Sequence, residues 1–145
     1  MLLPRSAAAA FPAPLQEAAV TALNFPDSYY ESLKKLYSEK RQYFLEGLDK
    51  IGLAHNVPQG TYFVLIDISE FLSMPYFHGW TDLEFCEWMV KNIGLAAVPG
   101  SSFFKEEVNH LIRLHFARNK DTLDEALSRL AKLKDPVWMS EALEK

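Results

Sequence analysis

The chain has 145 residues, 49% of them hydrophobic and 13% aromatic, with a formal net charge of -4 at pH 7. That length suits one domain of ordinary size with a real core, and the acidic balance without clustered Lys and Arg argues against a nucleic-acid partner. The single cysteine, Cys86, cannot form an internal disulfide and fits a reducing compartment, and no stretch approaches the roughly 20 apolar residues a membrane helix needs.

Residues 1–13 carry one Arg and no acid. They read as a ragged N-terminus or linker, with a targeting peptide as the alternative; a cytoplasmic location is expected, a mitochondrion or plastid being the alternative. Pro14 to Leu23 has helical composition, with Leu15, Ala19 and Ala22 or Leu23 on one face, and stops at Asn24-Phe25-Pro26. A long helix follows. Ser28 and Glu31 match a capping box, and Leu33, Leu36, Tyr37, Phe44, Leu48 and Ile51 recur at helical spacing until Gly52. Its length exceeds what one small core needs, so part of it is expected to act as a strut beyond that core.

Gly60 to Asp67 is β-branched and aromatic and apolar on both faces, the pattern of a central strand covered on two sides. Thr81 and Glu84 form a second capping box, and Leu83, Cys86, Met89, Val90 and Ile93 predict the buried stripe of a helix closed by Gly94. Leu95 to Val98 is a short strand stopped by Pro99-Gly100, and Leu111 to Ala117 is another. A last helix runs from about Asp121 to Lys134, with Leu123, Ala126, Leu127, Leu130 and Leu133 inward and Pro136 beyond its end. The order predicts an α/β or α+β sandwich, a small mixed sheet packed by helices and preceded by the long helix. The expected divisions are 1–13, the helices at 14–52, a domain at 53–135 and a tail at 136–145.

Arg113 is the first candidate for a site, because an arginine on a strand presents a rigid fork that matches a carboxylate. Leu111, Arg113 and His115 share one strand face and Ile112, Leu114 and Phe116 the other. Alternation alone leaves two readings open, a solvated face and a carboxylate anchor. Gly60 and Tyr62 are possible pocket-lining residues, since a backbone can approach a ligand closely beside a glycine. Pro99-Gly100-Ser101-Ser102 is either an anion nest of backbone N–H groups or a plain tight turn. Ser32-Leu33-Lys34-Lys35 matches S-x-x-K but lacks the companion motifs of a serine hydrolase. No metal is expected, because His55, His78, His110 and His115 lack partners at ligand spacing. Cys86 falls on the apolar stripe and reads as a buried structural thiol, and the aromatic pairs Tyr29-Tyr30 and Tyr43-Phe44, together with Trp88, read as packing residues.

Three segments then carry a resemblance: Pro58-Gln-Gly-Thr-Tyr-Phe-Val-Leu-Ile-Asp-Ile-Ser69, Phe85 to Phe103 with its Gly-Leu-Ala-Ala-Val-Pro-Gly-Ser-Ser run, and Ile112-Arg-Leu-His-Phe-Ala117 with the Leu-rich helix after it. From Pro14 to about Leu133 the chain resembles the C-terminal small domain of class I/II, fold-type I aminotransferases. The likeness is strongest to the kynurenine-oxoglutarate transaminase, or glutamine transaminase K, branch. The resemblance implies transfer of an amino group between an L-amino acid and a 2-oxo acid, of kynurenine, glutamine or methionine type. It implies that Arg113 binds the substrate carboxylate, that the cofactor is pyridoxal 5'-phosphate, and that the working form is a homodimer. In such enzymes the cofactor lysine belongs to a large domain. None of the ten lysines here sits in the family's Ser-x-x-Lys-x-x-x-x-x-Gly-x-Arg context. No catalytic residue is therefore expected in this chain, which reads as a fragment inactive alone or, alternatively, as a non-catalytic interaction or carboxylate-binding module derived from that domain. The loop from Phe104 to Leu111 looks shorter than the family's.

Overall fold

A computed structural model of the chain describes residues 13–144. The N-terminal segment read as a linker or targeting peptide therefore lies, except for Ala13, outside the described residues. By backbone contacts the chain divides into two compact units, one ending at Leu36 and the other running from Tyr37.

The first unit contains helix α1 (Ala13–Leu23) and the N-terminal part of helix α2 (Asp27–Ile51). Phe25 lies edge-on to Tyr29 and the Tyr30 hydroxyl donates to the Ala22 carbonyl at 2.5 Å, which closes the α1–α2 turn. Every described residue before Tyr37 is exposed. Tyr29 and Tyr30, expected to pack, are exposed for the same reason. α2 begins at Asp27, so Ser28 lies inside its first turn and not at the cap the S-x-x-E spacing suggested. Its buried residues are Phe44, Leu45 and Leu48, all in the C-terminal half, as the strut reading expects. Gly52 ends the helix at φ +79°, a left-handed position that glycine adopts without a Cβ penalty.

The second unit holds the core. Strand β1 (Phe63–Asp67), strand β2 (Val98–Pro99) and strand β3 (Leu111–His115) form one sheet in the order β1-β3-β2. Both pairings are antiparallel, with Leu65 and Val98 opposite Arg113, so the sheet expected to be mixed is antiparallel in its described strands. β3 is the central strand and β1 is paired on its far side only by the bridge of His55 with Ile66. Val64, Ile66, Ile112 and Leu114 are buried on one face, whereas Phe63, Leu65, Asp67, Leu111, Arg113 and His115 are half-buried on the other. β1 is thus covered fully on one face. Its second apolar row lines a cleft instead of lying under a helix, which is why apolarity on both faces overstated its burial.

Helix α4 (Asp82–Asn92) packs against β2 and β3. Its capping box is present as predicted: Glu84 N–H donates to Thr81 Oγ1, and Thr81 N–H donates to the Glu84 carboxylate at 2.8 Å. The inward face is rotated from the predicted stripe. Phe85 and Trp88 are buried with Cys86, Met89 and Ile93, while Leu83 and Val90 are about half exposed. The two large rings bury more apolar area than Leu and Val and join Phe71 and Phe77 in a ring cluster, so they win the interior positions. A short helix α3 (Ser69–Leu72) and the 3-10 turn Pro75–Phe77 carry those partners. Helix α5 (Lys120–Ala131) buries Leu123 and Leu130, with Ala126 and Leu127 partly covered, and Leu133 is buried in the 3-10 turn after it. Residues 136–143, read as tail, form helix α6 (Pro136–Leu143). Asp135 caps it, Pro136 starts it, and Met139 and Ala142 join the core.

Candidate functional site

Arg113 stands at the middle of the central strand, on the half-buried face, with Leu65 and Val98 across from it on either side. Its guanidinium carbon lies 4.1 Å from the centre of the Phe63 ring and 3.9 Å from that of Phe103. Each is a cation–π contact that sets the guanidinium over a ring, and a guanidinium held this way still has N–H donors to offer an acceptor. No carboxylate among the described residues pairs with it; every ion pair of the second unit involves other residues.

Around it lies a cleft of about 340 Å³, whose floor includes Phe63, Leu65 and Arg113 and whose rim includes Gly60, Thr61 and Phe103. The rim is held from two directions. Arg41 donates to the Pro58 carbonyl at 2.9 Å, and Asn56 pairs with the backbone of Leu65 through both its N–H and its side-chain oxygen. Thr61 sits at φ +62°, a left-handed position costly for a β-branched residue, and its hydroxyl accepts from Phe63 N–H at 3.4 Å. Gly60, one of the two residues read as pocket-lining, borders the cleft. Tyr62, the other, does not: its ring packs on Tyr37, Phe63 and His115 beside it.

The turn read as a possible anion nest already holds an anion of the chain itself. Asp82, the only buried charged residue among those described, accepts from Ser101 N–H at 2.7 Å and from the Ser101 hydroxyl at 3.0 Å. A third bond comes from Leu83 N–H at 3.0 Å, in the first turn of α4 where the helix field favours negative charge. The Ser101 donors are therefore taken.

His115 lies on the Arg113 face, two residues on. Its Nδ1 is buried without a hydrogen-bond partner, and burial, then Arg118, then Arg113 push its pKa below the usual imidazole range. It also borders a second, smaller cleft of about 190 Å³ with Arg118 and Thr122. A neutral ring suits both surroundings. Cys86 is buried, and burial with the nearby Asp82 pushes its thiol up to about 12, so it is not poised as a nucleophile.

Arg113 and Gly60, both named from the sequence, border one cleft, whereas the rings on the guanidinium and the bonds of Asp82 to Ser101 were not anticipated. Phe103 follows the Pro-Gly-Ser-Ser turn directly, which was a usable signal; Asp82 reads locally only as an acid in a first helical turn.

The family model for aminotransferase class I and II matches residues 2–130. The chain belongs to that family. Kynurenine–oxoglutarate transaminase 1 of Mus musculus is 36% identical over 118 residues, covering 75% of this chain and 28% of that protein. Methionine aminotransferase of Escherichia coli (strain K12) is 35% identical over 121 residues, covering 83% of this chain and 30% of that protein. Among solved structures, N-succinyldiaminopimelate aminotransferase from Mycobacterium tuberculosis superposes with a TM-score of 0.68 at 36% identity, covering 83% of this chain and 30% of that one. The fold is therefore that of fold-type I aminotransferases, on a branch like the kynurenine transaminases, and the chain spans under a third of the length of these relatives.

That family uses pyridoxal 5'-phosphate, which needs an amine for its aldehyde and donors for its phosphate. The residues lining the Arg113 cleft include no lysine, and Arg113 is their only cation. The Ser101 N–H and hydroxyl, which belong to the turn read as a possible anion nest, already bond Asp82. These residues fit a carboxylate and do not fit the cofactor.

Proposed function

We propose that this chain supplies the carboxylate-binding small domain of an aminotransferase that moves an amino group between an L-amino acid and a 2-oxo acid. Its cofactor, pyridoxal 5'-phosphate, is held with its lysine by a domain outside these 145 residues, and the working assembly is a homodimer. On this reading the chain alone does not transaminate. The observation that carries the proposal is Arg113: a strand-borne guanidinium against the Phe63 and Phe103 rings, facing a cleft, with no carboxylate among the described residues to satisfy it.

A bidentate pair between this fork and a carboxylate sets both position and orientation of the bound acid. Because two donors are engaged in one plane, the substrate's Cα is held at a fixed place relative to β3, which is the entropic part of catalysis a binding domain can provide. The aromatic lining, with Phe104 beside Phe103, supports acids with an apolar or aromatic side chain, in keeping with the kynurenine and methionine enzymes among the relatives.

Titration of the purified chain with 2-oxobutyrate tests the reading, followed by NMR at the Arg113 Nε–H resonance in wild type and, in wild type and variant alike, at the backbone amides of Leu65 and Val98, which lie opposite position 113. Wild type is expected to show a saturable shift, and Arg113→Lys, which keeps the charge but loses the fork, is expected to bind roughly tenfold more weakly. Absence of any carboxylate-dependent shift at Arg113 overturns it.

A further inference from the structure

We propose that Asp82 and Ser101 are positioning residues for Arg113, acting through Phe103. This rests on reading Arg113 as the carboxylate anchor and adds a device that sets its geometry. The chain of contacts is continuous. Pro99 pairs with Ile112 in the sheet, and Gly100 lies so close to β3 that a Cβ there would stand 2.6 Å from the Leu111 carbonyl oxygen. Ser101 is tied to Asp82 by two hydrogen bonds, and two residues later Phe103 lies against the guanidinium of Arg113.

Phe103 does not hold this place by burial, since it is 49% exposed. The 3-10 turn Gly100–Phe103 has no side-chain cap at its start and is a single turn, which alone would be weakly ordered. What fixes it is the carboxylate of Asp82. A buried charge is costly unless its oxygens are satisfied, and here each oxygen is bonded and two of the three donors come from Ser101. Asp82 therefore cannot release the turn without leaving a buried charge short of donors, and the Phe103 ring stays against the guanidinium. Held against that ring, Arg113 loses less side-chain freedom when a carboxylate arrives, the general route by which preorganisation raises affinity. The aspartate sits at the start of α4, 31 positions before Arg113 in the chain, and touches no part of the cleft lining except through this turn.

The test uses the full 145-residue chain with 2-oxobutyrate as probe, in wild type and the variants Ser101→Ala, Asp82→Asn, Phe103→Leu and Phe103→Tyr. Two readouts are taken: the upfield ring-current displacement of the Arg113 δ-methylene protons, and the affinity for the probe. Ser101→Ala, Asp82→Asn and Phe103→Leu are each expected to reduce the displacement and weaken binding by about two- to fivefold, the effect of one cation–π contact. Phe103→Tyr, which keeps the ring face, is expected to retain both, a rescue that a merely structural turn would not show. Displacement and affinity unchanged in Ser101→Ala and Asp82→Asn overturn the proposal, and should Asp82→Asn not fold, Ser101→Ala decides. If the wild-type chain binds no 2-oxobutyrate, the anchor reading falls, and the ring-current comparison by itself then decides whether Asp82 and Ser101 set Phe103 on Arg113.

Discussion

His115 and Gly100 are two residues whose surroundings make opposite demands. Folded His115 holds a proton less tightly than a free imidazole, whose pKa is near 6.5, because burial disfavours the cation and Arg118 and Arg113 repel it. The unfolded chain then binds more protons below that value, so stability is full above it and is lost as pH falls through 6.5 toward the lower folded pKa. Replacing His115 with Gln is expected to flatten the dependence of the urea midpoint between about pH 7 and pH 5; an undiminished slope would assign the effect to other groups. Gly100 is needed for space, since its φ is not left-handed and an added Cβ would meet both the carbonyl oxygen and the Cβ of Leu111 within 3.0 Å. Gly100→Ala is expected to cost about 1–3 kcal/mol by overpacking, measurable by urea unfolding, and to weaken 2-oxobutyrate binding by moving Phe103. Neither demand is visible in the local sequence, where one residue is a histidine on a strand and the other a glycine after a proline.

Among the elements, those closed by side-chain chemistry of short reach were legible and those whose facing depends on distant partners were not. Thr81 and Glu84 form the predicted capping box, and Thr81→Ala is expected to lower stability by about 1 kcal/mol in urea or thermal unfolding. The same spacing at Ser28 and Glu31 misled by two residues, because α2 starts at Asp27 behind the Phe25-Pro26 turn. Helix α4 was placed correctly but rotated: its periodic apolar residues outnumber the positions that face inward, and the partners that select Phe85 and Trp88 are Phe71 and Phe77 from other elements. Helix α6 was missed because Pro136 also reads as a stop, although a proline after an aspartate is equally the start of a capped helix. Strand β1 was legible as a strand, but Phe63 and Leu65 on its second face line the cleft and are only half-buried.

At the scale of the whole molecule, the two units differ in how their apolar residues are used. The second unit encloses a continuous core, whereas in the first Leu15, Val20, Leu23, Phe25, Tyr29, Tyr30, Leu33 and Leu36 are all exposed. Apolar surface of that extent is uncommon on a chain that works alone. Because those side chains bury little, the double substitution Leu23→Ser with Leu36→Ser is expected to leave unfolding stability within about 0.5 kcal/mol by calorimetry while reducing binding of a hydrophobic dye; a larger loss would show that they support the fold. The amino-acid sequence by itself determined the order of the longer helices and the strands up to α5, the ends closed by Thr81, Gly52 and Gly94 and the aminotransferase likeness, and it singled out Arg113, because each depends on neighbours within a few residues or on a motif in a fixed order. Only the tertiary structure decided that β3 is the central strand, that Phe63 and Phe103 flank the guanidinium and that Asp82 is spent on Ser101. Those contacts join residues far apart in the chain, and their energies exist only once the sheet and α4 have brought them together.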